Sequence, residues 1–282
     1  MNMWNFLSRL GAGAVLVSAL LLTTDAAAQT RRQVQDLQLG PDLQGELALK
    51  NGDYLLLEGY GRNVPAYNEF STNRFLGLDQ RGIGLTFEHF WSDHWSGGAA
   101  LQHVSSGGFK YLAPEVLLRH RSPIGPLTFG QRLSVYRTIP FGGLGRSVAN
   151  DGVTVASLRF DLEKLFSVGS GGFGLRPRLS YEAATRIRWG KKEAYEGDER
   201  TIQFTSLRGE LGCRVNDHFD FTPWVAYATA YYFTLGSYNP ISGTLSNEGR
   251  LNLVTPVIGL DARFTLFSGR EVFDRRQLPT QH

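Results

Sequence analysis

"DGVTVASLRFDLEKLF", residues 151–166, changes character at every step. Thr154, Ala156, Leu158, Phe160 and Leu162 fall on one side of an extended chain, and Val155, Ser157, Arg159, Asp161 and Glu163 on the other. A period of two reads as a strand. Two environments satisfy such a strand. Either the apolar face fills a protein core and the charged face is wet, or the apolar face meets lipid and the charged face points into a closed barrel.

The alternation recurs along the chain. In "FGLRPRLSYEAATRIRW", 173–189, Leu175, Leu179, Tyr181 and Ile187 share one face while Arg176, Arg178, Glu182, Arg186 and Arg188 share the other. Similar strands are expected near 81–91, 96–105, 109–121, 127–139, 200–215, 219–235 and 250–267, with shorter ones at 43–50 and 54–61 around the turn "NGD". Short connections ("SDHW", "SPIGP", "SVGSGG", "NDH") alternate with long ones at 62–80, 140–150, 189–199 and 236–249, and only the connection at Ser106 breaks the pattern. Outer-membrane barrels connect their strands in this way, with short periplasmic turns and long outer loops. Most of the runs exceed the ~5–6 residues of a soluble strand and reach the ~9–11 that a tilted membrane-crossing strand needs. Phe87, Phe90, Trp91 and Trp95 flank one short turn, Phe219 and Phe221 another, and Tyr231 and Phe233 lie near the opposite end, as two interfacial girdles would.

The start of the chain agrees with export. Arg9 precedes an apolar run from Leu10 to Leu22, and Ala26-Ala27-Ala28 forms a small-residue cleavage site. That is the pattern of a Sec signal peptide over 1–28, its apolar run shorter than the ~20 residues of a spanning helix. No cysteine follows the site, so no lipid anchor is expected there. Cys213 is the single cysteine, which rules out an internal disulfide and a thiolate metal centre. It is expected to be a small residue on the lipid face. A net charge of +3 is too small and too dispersed for a nucleic-acid partner. No cofactor or metal motif is present.

The charged faces define the candidate site. Arg119, Arg121, Arg132, Arg159, Arg176, Arg178, Arg186, Arg188, Arg208, Arg214 and Arg263 share the inferred lumen with Glu88, Glu115, Asp161, Glu163, Glu182, Glu210 and Asp261. Buried ions must be paired or hydrated. A turn centred between Gly169 and Ser170 sets Asp161 opposite Arg178 and Glu163 opposite Arg176, with Glu115 near Arg132. Such a lumen is either a structural polar plug or a passage that attracts anions through its arginine excess.

Three resemblances add to this reading. "VIGLDARFTLF", 257–267, resembles the glycine-plus-alternating-aromatic signal by which the barrel assembly machinery recognises a last strand, although here a charged tail, 268–282, follows it. His103, Ser105 and Glu115 in "LQHVSSGGFKYLAPE" resemble the catalytic set of outer-membrane lipid A deacylases, in which a histidine is base, a serine nucleophile and an acid orients the histidine. The match departs from that family where Ser106 replaces the usual asparagine and where Glu115 shares the inward parity of Arg119. The block from Arg81 to Arg137, with Glu115, Arg119 and Arg132 as its Glu-x-x-x-Arg strand and Arg-rich return strand, resembles a family of outer-membrane barrels without an assigned activity.

The expected fold is an all-β, antiparallel, up-and-down transmembrane barrel of ten to twelve strands, the even numbers ten or twelve being the usual closures. It would occupy 43–267, after a periplasmic or loosely ordered segment at 29–42. Pro114, Pro177, Pro223 and Pro256 lie on its lipid face and cost ladder bonds unless bulges absorb them. The expected location is the outer membrane, with lipid, lipopolysaccharide and the assembly machinery as partners and the oligomeric state left open. The expected function is a structural or small-solute-passing barrel. A lipid A deacylase and a soluble secreted β-sandwich binding protein are the alternatives.

Overall fold

The computed structural model describes residues 31–63, 78–106, 109–143, 152–168, 173–187, 201–234, 237–238, 245–246 and 249–268. The expected signal peptide over 1–28, Arg188, most of the long connections and the tail from 269 lie outside them. Eleven long strands form one closed sheet: β1 (Gln38–Ala48), β2 (Tyr54–Arg62), β3 (Gln80–Phe90), β4 (Trp95–Ser106), β5 (Phe109–Ile124), β6 (Leu127–Arg137), β7 (Thr154–Glu163), β8 (Gly174–Ile187), β9 (Phe204–Arg214), β10 (Phe219–Thr234) and β11 (Gly249–Phe267). Each pairs with its successor in the chain, and β11 returns to β1, so no edge is left open. A sandwich of two packed sheets is excluded by that closure. Separately, Ser237–Tyr238 pairs with Leu245–Ser246 as a small antiparallel unit of its own.

The strand number lies within the expected range but is odd. An up-and-down chain of eleven strands brings its last strand back pointing the same way as its first, so the closing ladder must be parallel. It runs from Val257 facing Gln38 to Phe267 facing Ala48. The same register continues outward, with the Gln35 N–H donating to the Val254 carbonyl at 2.8 Å. The first strand therefore starts at Gln38, five residues ahead of the expected start at 43, and Arg31–Val34 is itself strand beside β11. Gly40-Pro41 gives the sequence there the look of a turn and hides the alternation of Asp42, Gln44 and Glu46 with Leu43 and Leu47.

Alternation sorts the side chains as their parity dictates. Leu158, Phe160 and Leu162 are exposed on the outside, while Arg159 and Asp161 are buried within. Every strand contributes to the outer apolar surface, from Leu43 and Leu57 through Leu101, Leu133 and Leu207 to Leu260 and Phe264. Trp91 and Trp95 stand on it beside a short turn. Phe90 does not. It shares the parity of Glu88, turns inward and packs 6.2 Å from the Tyr54 ring. Cys213 has outward parity but is shielded in the wall, where Leu175 and Phe221 stand opposite it on the two neighbouring strands.

The four prolines coincide with places where a ladder has stopped. The β5–β6 pairing begins at Glu115, just past Pro114, and the β9–β10 pairing lapses between Glu210 and Cys213, opposite Pro223. The closing ladder begins at Val257, just past Pro256. Pro177 needs no N–H, because it meets Lys164 beyond the end of β7 and accepts a hydrogen bond from its backbone N–H at 3.2 Å. A residue without an amide hydrogen costs least at such points.

The first hairpin is tied to the third strand through Asp53, in the turn before β2. Its carboxylate accepts from Asn51 Nδ2 at 2.7 Å, from the Phe90 N–H at 3.0 Å, and contacts His89 Nδ1 at 2.8 Å. Burial pushes this carboxyl up, but the bonds from His89, Phe90 and Asn51 outweigh it and hold the group below its ordinary value. Asp53→Ala is expected to cost about 1–2 kcal/mol of stability in detergent at neutral pH. Because the folded value is lowered, that contribution is present above the ordinary carboxylate value and lost as pH falls through the folded one. Urea unfolding of wild type and variant should therefore differ at neutral pH and converge on acidification.

Candidate functional site

Inside the barrel the side chains of long charged residues meet one another across strands. Arg208, on β9, donates from Nε to Glu210 at 2.9 Å and from Nη2 to Asp261 of β11 at 2.8 Å. Its guanidinium lies 4.0 Å from the centre of the Trp224 ring, and Trp224 Nε1 donates to the other Asp261 oxygen at 2.5 Å. Glu210 also pairs with Arg178, directly opposite on β8, and both side chains are fully buried. Gly259 makes room for this cluster: a Cβ there would fall 2.2 Å from Trp224 ring carbons.

A second cluster fills the short-turn end. Glu88 accepts from Tyr54, from Ser96 at 2.5 Å and from Arg119 Nη1 at 3.0 Å, with Glu88 and Arg119 no more than 2% exposed. Arg263 spans the parallel seam, donating to Gln44 at 2.8 Å and lying 3.6 Å from Glu46. Asp42, Glu46 and Glu58 are buried acids that the sequence reading left out, and they reduce the apparent arginine excess. Their signal was the parity of 42, 44, 46 and 58.

Of the expected pairs, Glu115 meets Arg132 at 2.6 Å and Glu163 lies 3.9 Å from Arg176. Asp161 does not pair with Arg178 as expected. It accepts from Arg159 Nε on its own strand at 3.0 Å, and Arg178 turns to Glu210. The cause is register. Phe166 faces Leu175 and Arg178 faces Glu163, so the hairpin is centred one residue later than expected and every pair moves by two. A glycine-rich connection such as "SVGSGG" does not fix its own centre. Glu182 accepts from Ser157, Arg186 is exposed, and Arg121 and Arg214 are half-buried.

Toward the long-connection rim the packing loosens into a cavity of about 270 Å³. The Glu115–Arg132 pair, Glu182, Arg159, Gln102 and the rings of Tyr60, Tyr111 and Tyr136 line it. None of the tyrosines was singled out from the sequence, although each shares parity with an inward charge on its strand. His103 and Ser105 are not part of it. They face outward with Leu101, the His103 ring 5.4 Å from Phe141, while Glu115 faces the lumen. The arrangement that a histidine base requires is not assembled, since its acid lies on the opposite side of the wall. Among the described residues no three of His, Cys, Asp and Glu are grouped to hold a metal.

No protein-family description and no curated protein sequence match the chain. It is similar to the solved structure of the NanC porin in a rhombohedral crystal form, at 13% identity and a TM-score of 0.35, over 68% of this chain and 86% of that one. A likeness of that degree says nothing about what this barrel binds.

Two outcomes follow from the geometry. Glu210→Gln should destabilise the barrel by about 3–5 kcal/mol, because it removes the buried carboxylate that Arg178 and Arg208 share, and Arg178→Met should cost less, because Glu210 keeps Arg208. The double variant should recover part of the loss, whereas Asp161→Asn combined with Arg178→Met should be closer to additive, as urea titrations of the full cycles will show. His103→Ala and Ser105→Ala should leave the acyl pattern of lipid A unchanged by mass spectrometry in cells expressing either variant.

Proposed function

We propose that the chain is an outer-membrane barrel whose lumen is closed by its own charge network, so that it acts as a structural or ligand-holding barrel and not as an open passage for anions. The observation that carries this reading is the mutual burial of Arg178, Glu210, Arg208 and Asp261 across the interior. Ions approaching such a network would have to break pairs that have no water to replace them, a cost of several kcal/mol for each ion. A free conducting path would need those side chains to withdraw.

Membrane insertion is supported by the outward leucines and aromatics on all eleven strands and by strand lengths from 9 to 19 residues. With the backbone closed on itself, such a surface suits hydrocarbon and exposes a large apolar area to water. The sequence signal for Sec export, cleaved near Ala28, supports the outer membrane as destination, with lipopolysaccharide around the barrel and the assembly machinery recognising the last strand. The 268–282 tail would then remain in the periplasm with the short turns.

Expressed with its leader, the protein should fractionate with outer membranes and run with heat-modifiable mobility. Reconstituted in planar bilayers, it should show no steady conductance above background. Recovery as soluble periplasmic protein would remove the membrane reading, and steady anion-selective currents would replace the closed barrel with a channel.

A further inference from the structure

The closed half of the lumen forms the floor of the cavity beside Tyr60, Tyr111 and Tyr136, and we propose that this cavity binds a small, neutral polyhydroxyl molecule of the size of one sugar ring. The volume, about 270 Å³, is just below the ~300–1,000 Å³ usual for ligand sites, which favours one ring over a chain of them.

Charge selects the class. Glu115 and Arg132 are paired at 2.6 Å, Arg159 is bonded to Asp161 at 3.0 Å, and Glu182 accepts from Ser157. Both signs are therefore represented on the wall, and each charge already has an answer. An anion entering here meets Glu115 and Glu182, and a cation meets Arg132 and Arg159. A neutral molecule with several hydroxyls meets no net opposition, and each hydroxyl can donate to a carboxylate or accept from a guanidinium or from the Gln102 amide. Arg132 retains such a donor: its Nε–H has no partner among the described residues.

The tyrosines supply the remaining chemistry. A ring offers an apolar face to C–H groups and a hydroxyl at its edge, which suits a molecule that alternates the two. Tyr60 is seated by an absence on the next strand, since a Cβ at Gly82 would come within 2.4 Å of its Cζ. The small Ser134, Ser157 and Ala113 keep the centre open where arginines fill the other half.

The inference rests on the closed-lumen reading for its floor, and binding in detergent separates the two. Mature barrel in lauryldimethylamine N-oxide, which has no sugar headgroup, is titrated with glucose, galactose and mannose, and with glucuronate and glutamine as anionic and zwitterionic probes, by saturation-transfer difference NMR. At least one neutral sugar should bind saturably with a Kd of ~1 mM or lower and more tightly than either charged probe. Ser134→Leu, which fills the cavity, should weaken it about tenfold or more. If that variant does not fold, the Tyr111→Phe, Tyr136→Phe pair is read in its place and should weaken binding severalfold while keeping heat-modifiable mobility. No saturable binding of any neutral sugar, tighter binding of glucuronate or glutamine, or unchanged affinity in the folded variants overturns the proposal. Saturable sugar binding by a barrel that also conducts would overturn the closed lumen and leave the site standing.

Discussion

An arginine withdrawn from water must find acceptors, and in this barrel the acceptors come from other strands. Arg208 reaches from β9 past Trp224 of β10 to Asp261 of β11, and shares Glu210 with Arg178 of β8. Four consecutive strands are thus bound by side chains as well as by their ladders. The tie also holds register. A one-residue slip of β9 would present Leu207 and Leu211 to this cluster and send Arg208 and Glu210 outward, exchanging satisfied charges for stranded ones.

The same need for satisfied polar groups explains the seam. An open sheet edge leaves a row of backbone amides and carbonyls unbonded, and this sheet closes on itself despite its odd strand number. With eleven strands the closing pair is parallel, a geometry slightly weaker per residue than the antiparallel one. Lumen side chains reinforce it: Gln44 and Glu46 of β1 both engage Arg263 of β11, and Thr255 donates to Gln35 at 2.6 Å further along. The odd number also places the two ends of the barrel chain at opposite rims. β11 ends with the short turns, and β1 begins with the long connections.

What could be read from the sequence was what two neighbouring residues decide between them. Facing is such a property, and Leu158, Arg159, Leu179 and Arg178 all lie where their parity puts them. Phe90 was misplaced because its neighbour Trp91 suggested a girdle, although its parity with Glu88 already pointed inward. Register is decided by the centre of a turn, and the glycines of "SVGSGG" left that centre open by one residue. Strand number is a property of the closed sheet. Its parity depended on whether Asp42 to Ala48 counted as a strand, where Gly40-Pro41 obscured the pattern. The cavity tyrosines were legible in facing but not in grouping, because Tyr60, Tyr111 and Tyr136 come together only once β2, β5 and β6 are arranged around one lumen.

The two halves of that lumen differ because their inward residues differ in volume and not in polarity. Toward the short turns the inward positions carry Arg119, Arg176, Arg178, Glu88 and Glu210, whose long side chains cross the interior and meet one another. Toward the long connections several of them are Gly82, Gly84, Ala113, Ser134 and Ser157, which end near the wall and leave space between the tyrosines and the side chains of Glu115, Arg132 and Glu182. A barrel of fixed circumference turns this change in side-chain length directly into empty space, since its wall is held by the ladders and cannot collapse onto smaller residues. The meeting of charges below and the cavity above are therefore one consequence of a single gradient along the strands. The polar walls of the upper half would be as costly to leave dry as the lower charges would be to leave unpaired. Water or a molecule that hydrogen-bonds as water does is what that half of the barrel is built to hold.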